Sequence, residues 1–185
     1  MSQFTKTAIR SSLIRLLEEK PLNKISVMDI ARDCGINRNT FYYHYSDIPA
    51  LLEEFVREES DAIIRKYPSI ETLEEGVKAV LEFALNRKTA VMHIYHSVNR
   101  EVFEMYLWRV LDYVTRNYLK TILGERSLQE EDMETMATSL KSICFGFIAD
   151  WMEKDMSDEQ LGTFSRFCEL AKGELEVLLN RCRRV

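Results

Sequence analysis

Only three prolines and six glycines are spread through 185 residues, and nowhere do apolar and polar residues alternate for more than a few positions. Those shortages exclude a sandwich or barrel, which needs turn residues at short, regular intervals between alternating strands. Cysteine is scarce too. Cys34, Cys144, Cys168 and Cys182 have no C-x-x-C spacing and sit inside helical patterns, so neither a disulfide framework nor a zinc knuckle is expected, and reducing cytosol suits the chain. No apolar run approaches the roughly twenty residues of a membrane span, and the amino terminus has no apolar stretch behind a basic start. The expectation is a soluble, cytoplasmic protein with no membrane partner. Also missing are a Gly-rich phosphate loop, a nucleophile elbow, an H-E-x-x-H pair and any acid and base residues spaced for joint catalysis. Nothing points to an enzyme, a metal or a cofactor.

Charge is unevenly placed. The net charge is −5, yet residues 1–50 hold seven Lys/Arg against five Asp/Glu, while residues 51–185 hold eighteen against twenty-five. An acidic body behind a mildly basic amino-terminal third points to nucleic acid engaged at one end only.

The run SVMDIARDCGINRNTFYYHY from Ser26 to Tyr45 supplies the chemistry for that end. Ser26, with Asp29 three residues on, can cap a helix whose apolar side is Val27, Ile30 and Ala31. Gly35 stops that helix, since glycine takes the left-handed conformation without a side-chain clash, and Ile36 can tuck back into the core. Asn37 caps the next helix, on which Phe41 and Tyr45, four apart, share the inward face. What remains outward is Asn37, Arg38, Asn39, Thr40, Tyr42 and Tyr43, with no carboxylate among them. A phosphate-lined groove favours such a surface. His44 closes the helix, where its cationic form would suit both the helix dipole and a phosphate, and a structural imidazole is the alternative. Ser26, Asn37, Arg38, Asn39, Thr40, Tyr42, Tyr43 and His44 are therefore the candidate DNA contacts, in a reader spanning 26–45.

DIARDCGINRNTFYYHY, followed by Asp47 and Leu51, resembles the helix-turn-helix signature of TetR/AcrR-type transcriptional regulators of bacteria. In that signature an apolar-Ala pair, a Gly-apolar turn, a Thr-aromatic-Tyr step and a His-aromatic close recur. The resemblance covers roughly the first third of the chain, and CGINRNTFYYHY with Asp47 and Ile48 is most similar to the branch of dihydroxyacetone kinase regulators (DhaS-like). Two positions depart from the family pattern: Pro21 stands where many members have Gly, and Ile48 where many have Lys. The second change removes a phosphate contact and leaves it to backbone N–H groups beyond Asp47. The resemblance implies an all-α protein with a helix-turn-helix domain over 1–66 and a helical effector and dimerisation domain over 69–185. It also implies a homodimer that binds double-stranded DNA at an inverted-repeat operator. The function so implied is a repressor controlled by a small-molecule inducer; the alternative is an activator or adaptor controlled by a protein co-regulator.

Apolar spacing along the rest of the chain predicts about nine helices. The first carries Ile9, Leu13, Leu16 and Leu17 and stops before Pro21. The fourth opens at Asp47, holds Pro49 in its first turn and ends near Pro68. Thr72 with Glu75, Ser127 with Glu130 and Ser157 with Gln160 read as further capping signals, the last helix reaching Cys182. Val98, Leu107, Val110, Leu111 and Val114 fill the apolar side of the long central helix. Leu140, Phe147, Trp151, Phe164, Phe167 and Leu175 lie on two wide apolar stripes that suit a four-helix interface across a two-fold axis, with core packing as the alternative. Met92, Tyr95, His96, Phe103, Tyr106, Trp108 and Tyr113 could line an effector pocket or simply fill core. His93 and His96, three apart, offer two imidazoles to a metal but no third ligand follows.

Overall fold

Caps, turns and apolar periodicity decide where each helix begins and ends in the computed structural model, which describes residues 2–97, 100–171 and 173–182. Val98 lies outside the described residues. Ten α-helices form among the described residues: α1 (Ser2–Glu19), α2 (Val27–Asp33), α3 (Arg38–His44), α4 (Ile48–Lys66), α5 (Leu73–Leu85), α6 (Lys88–Tyr95), α7 (Arg100–Leu123), α8 (Glu130–Glu153), α9 (Asp158–Leu170) and α10 (Glu174–Arg181). No β-strand occurs among the described residues. The fold is all-α.

The amino-terminal caps follow the sequence closely. Ser26 Oγ accepts the Asp29 backbone N–H at 3.2 Å while the Asp29 carboxylate accepts the Ser26 N–H at 2.9 Å, a reciprocal capping box. Gly35, at φ +72°, closes α2: Ile36 N–H donates to Ala31 C=O at 2.9 Å and Gly35 N–H to Arg32 C=O at 3.3 Å. That bond pair satisfies two orphan carbonyls and requires a left-handed residue at position 35. Asn37 Oδ1 accepts from Thr40 N–H at 2.8 Å and Asp47 Oδ1 from Ala50 N–H at 2.7 Å, opening α3 and α4.

Further along, three capping expectations need correction. Thr72 precedes α5 but its hydroxyl donates to Ser69 C=O at 3.1 Å, because the preceding turn lies closer than the helix amides. Ser127 is displaced by Gln129, which precedes α8 with no side-chain cap, and Ser157 precedes α9 without capping it. The expected single terminal helix is two, broken where Gly173 takes φ +86°. Periodicity is blind to that break, since apolar spacing continues on both sides of it. Pro21 also leads into a short 3-10 turn, Leu22–Lys24.

Three apolar clusters hold the helices. Ile9, Leu13, Leu17, Ile30, Phe41, Tyr45 and Leu51 form the first, and Ala90 and Ile94 of α6 pack into it. Leu119, Leu123, Met136, Ala137, Leu175 and Leu179 form the second, at the far end of α7. Leu81, Met92, Trp151, Met152, Met156 and Phe164 form the third. Each fully buried large side chain stabilises the fold by about 1.5–3 kcal/mol, so the clusters outweigh any surface ion pair.

Candidate nucleic-acid interface

The α3 helix divides its side chains sharply. Phe41 is 0% exposed and Tyr45 is buried, whereas Tyr43 is 83% exposed and Asn37, Arg38, Asn39 and Tyr42 also face solvent. Burial of the two inward rings sets the rotation of the helix, and so sets which residues a groove would meet. Arg38 donates to the Tyr42 hydroxyl at 3.1 Å, with its guanidinium 5.2 Å from the ring centroid. Thr40 Oγ1 donates to Asn37 Oδ1 at 3.1 Å. The Asn37 oxygen is thus taken twice, by a backbone N–H and a hydroxyl, and only its NH2 is free to read a base edge. Ser26 is similarly occupied, its hydroxyl donating to Asp29 at 2.9 Å. His44 is half-buried, with its ring 5.0 Å from that of Tyr43 in an edge contact.

Polar contacts fasten α4 along its length. Near its start Glu54 Oε1 accepts from Lys6 at 2.8 Å, Arg10 at 3.0 Å and the Tyr45 hydroxyl at 3.2 Å, and Glu58 accepts from Arg10 at 2.7 Å. Burial alone would raise the Glu54 carboxyl; the Lys6 hydrogen bond and ammonium charge override it and hold it below the usual range. Toward its other end Asp61 accepts from the Tyr113 hydroxyl at 2.9 Å and from Asn117 at 2.8 Å. Burial first, then the Asp61 carboxylate, push the Tyr113 hydroxyl up. A separate link joins α6 to α1, where His93 Nδ1 lies 2.7 Å from Leu17 C=O. Helix α4 therefore meets Tyr45, at the end of α3, on one side and α7 on the other.

Beside the rear of α4 opens a cavity of about 450 Å³, lined from α4, α7 and α8. Arg57, Arg109, Arg116, Lys120 and Lys141 supply cations, Trp108 and Tyr113 supply rings, and Asp112 and Asn117 complete the lining. The Lys141 ammonium stands 4.4 Å from the Trp108 ring centroid and the Arg57 guanidinium 4.7 Å from that of Tyr113. Asp112 bridges Lys141 at 2.7 Å and Arg116 at 2.9 Å, and the Lys141 hydrogen bond holds its carboxyl below the usual range.

Two family models match the chain: residues 9–55 match that of "Bacterial regulatory proteins, tetR family" and residues 71–173 that of "Transcriptional regulator C-terminal region". The chain belongs to the TetR family. TetR-family transcriptional regulators bind DNA, and the model matched by residues 9–55 spans the α2–α3 unit described above. Among solved structures it is similar to the "Dihydroxyacetone kinase operon activator DhaS", with a TM-score of 0.64 and 15% identity over 92% of this chain and 97% of that one. Likeness at that identity speaks to the fold. No curated protein matches the chain. No described helix is long and apolar enough to cross a membrane.

The residues expected to line an effector pocket of this TetR-family chain are not brought together. Met92, Tyr95 and Phe103 pack in the third apolar cluster, the last two rings 5.0 Å apart edge to face. His96 is exposed, and Tyr106 lies under the Arg109 guanidinium. Only Trp108 and Tyr113 reach the cation-lined cavity. Its cations were missed by reading apolar spacing alone, although Arg109, Arg116 and Lys120 fall on one helical stripe that a count of charged residues would have found. The apolar stripes also need correction as a partner face. Trp151, Phe164 and Leu175 are covered by their own chain, and Leu140 and Phe147 are half-buried against it. Of the six expected residues only Phe167 stands exposed, and Leu170 on the same helix, Val177 and Leu178 on α10 and Ile143 on α8 are exposed as well.

Proposed function

We propose that this TetR-family regulator acts as a homodimeric repressor that binds an inverted-repeat operator and is released by a small molecule. One observation carries the reading: the exposed face of α3 offers Asn37, Arg38, Asn39, Tyr42 and Tyr43 with no carboxylate among them. Arg38 suits the O6 and N7 atoms of guanine, Asn39 suits adenine, and the Tyr42 and Tyr43 hydroxyls suit phosphate oxygens. Two such helices on a two-fold axis meet successive major grooves about 34 Å apart, which selects DNA of the same symmetry. Control then follows from α4. A ligand at the rear of α4 that shifts the Asp61 contacts moves the helix holding Glu54 and Tyr45, and both readers can no longer fit their half-sites at once.

Selection of bound fragments from random DNA tests this reading directly. The expected product is an inverted repeat bound by a dimer; a site without two-fold symmetry, or tight binding by a monomer on sizing, refutes it. A second reading is activation through a protein partner. The similar solved structure is named an operon activator, which favours it. Transcription in vitro from the selected operator separates the two, because a repressor lowers promoter output and an activator raises it.

A further inference from the structure

We infer that the cavity between α4, α7 and α8 is a site for a small polyanion, a metabolite carrying phosphate or several carboxylates. The inference rests on the reading that a small molecule controls this regulator, and it names the class of that molecule. Charge is the first argument. Residues 51–185 carry seven more acidic than basic side chains, yet the cavity gathers Arg57, Arg109, Arg116, Lys120 and Lys141 around one carboxylate, Asp112. Holding like charges together in an open cleft costs Coulomb energy that a bound anion relieves.

Pairing is the second argument. Asp112 pairs with both Lys141 and Arg116, Glu134 pairs with Arg116 at 2.6 Å, and Glu53 pairs with Arg57 at 2.7 Å. Among the described residues neither Arg109 nor Lys120 is in an ion pair, and the Arg109 guanidinium lies 5.0 Å from the Tyr106 ring centroid. These two are not needed to balance the fold, which leaves them for a ligand. Arg109, Arg116 and Lys120 follow one stripe of α7, and Trp108 and Tyr113 give the cleft flat walls. The volume, about 450 Å³, is in the range of small-molecule sites. Arg57 places one of the cations on α4, so an anion seated there pulls on the helix that joins the cavity to the reader.

Isothermal calorimetry on the full chain with pyrophosphate and with citrate, at constant ionic strength set by chloride, tests the site. Saturable binding of at least one probe is expected, with one site per chain. Arg109→Ala with Lys120→Ala should weaken it at least tenfold, and Arg109→Lys with Lys120→Arg should restore most of it. The relative affinity for pyrophosphate and citrate decides between phosphate and carboxylate. Heat no greater than with chloride alone, or equal binding by the alanine variant, overturns the site; should that variant fail to fold, Lys120→Gln takes its place with the same criterion. Displacement of the probes by a non-operator duplex would assign the cations to DNA and also overturn it. Failure of the underlying reading looks different. A site that binds probes while no polyanionic metabolite alters operator affinity leaves the anion site standing and removes control by it. Release of the operator by an uncharged metabolite, equal in wild type and alanine variant, leaves small-molecule control standing and overturns the polyanion site.

Discussion

Arg38 and Tyr42 show how a single contact changes what a substitution should do. Arg38→Ala is expected to relax preference at one base pair and cost about 1–3 kcal/mol of operator binding, while Tyr42→Phe should weaken all sequences alike. Because the Tyr42 hydroxyl also accepts from Arg38, the two effects should not add: a double-mutant cycle should give a coupling of about 0.5 kcal/mol or more. Binding to a panel of base-substituted sites measures both quantities, and uniform loss in Arg38→Ala would remove Arg38 from base reading. Asp29 makes a second prediction at this scale. Its carboxyl is lowered from the ordinary 3.8 to about 2, first by the Ser26 N–H, then by the Ser26 hydroxyl and Lys20. A depressed acid stabilises the fold above its unfolded value, and that contribution is lost as pH falls through the folded one. The stability of wild type relative to Asp29→Asn should therefore decline between about pH 4 and pH 2 and stay level above that range; urea titrations across these pH values read it out, and parallel curves throughout would show that the capping box carries no such linkage.

Helix α4 is the element on which the functional argument turns, since it bonds to α1 through Glu54 and Glu58 and to α7 through Asp61. Glu54→Gln removes the charge that Lys6 and Arg10 share while keeping shape. We expect a loss of about 1–3 kcal/mol of stability, the range for hydrogen bonds to charged groups. Operator affinity should fall as well, because Tyr45 loses the carboxylate that helps hold the reader against α4. Unchanged stability would mean that Glu58 alone suffices to hold Arg10. Tyr113→Phe tests the other end: the Asn117 contact to Asp61 remains, so the stability cost should be smaller than for Asp61→Ala, and thermal unfolding of the two variants ranks them. Equal costs would show that the Tyr113 hydroxyl, and not Asn117, is the main tie between α7 and α4. The capping expectations divide by the same logic of elements. Ser26, Asn37 and Asp47 cap as read because their partners lie three residues on, whereas the Thr72 hydroxyl is drawn off by the preceding turn and α8 begins after Gln129, two residues past Ser127.

At the scale of the whole molecule, an exposed apolar surface remains on the last three helices, with Phe167 at 45%, Leu178 at 46% and Leu170 at 66% exposure. Exposed apolar side chains in such number suit an interaction surface, and a second copy related by a two-fold axis fits a regulator expected to read a symmetric site. Phe167→Asp with Leu178→Asp should convert the protein to a monomer on analytical ultracentrifugation with its helical content intact, since neither side chain fills a core. Operator affinity should fall about 10²-fold or more, because the second half-site no longer binds as an intramolecular step. A dimer of unchanged stability would place the interface elsewhere on the surface.

Much of this protein was legible in one dimension. The helix-turn-helix was legible because capping, the Gly35 turn and the inward pair Phe41 and Tyr45 are local matters, decided by residues three or four apart. The all-α class was legible for the same reason, through the rarity of proline and glycine and the helical spacing of apolar residues. Tertiary structure alone decided what depends on helices meeting. Trp151, Phe164 and Leu175 could have faced a partner or their own core until α8 and α9 packed with α5 and α6, and α10 with α7 and α8, and then they were covered. Arg57, Arg109, Arg116, Lys120 and Lys141 come from three helices and become one basic cavity only because α4 and α8 flank α7. The physical reason is range: hydrogen bonds of caps and turns close within a few residues of the chain, whereas burial and charge are shared between whichever surfaces the fold brings together.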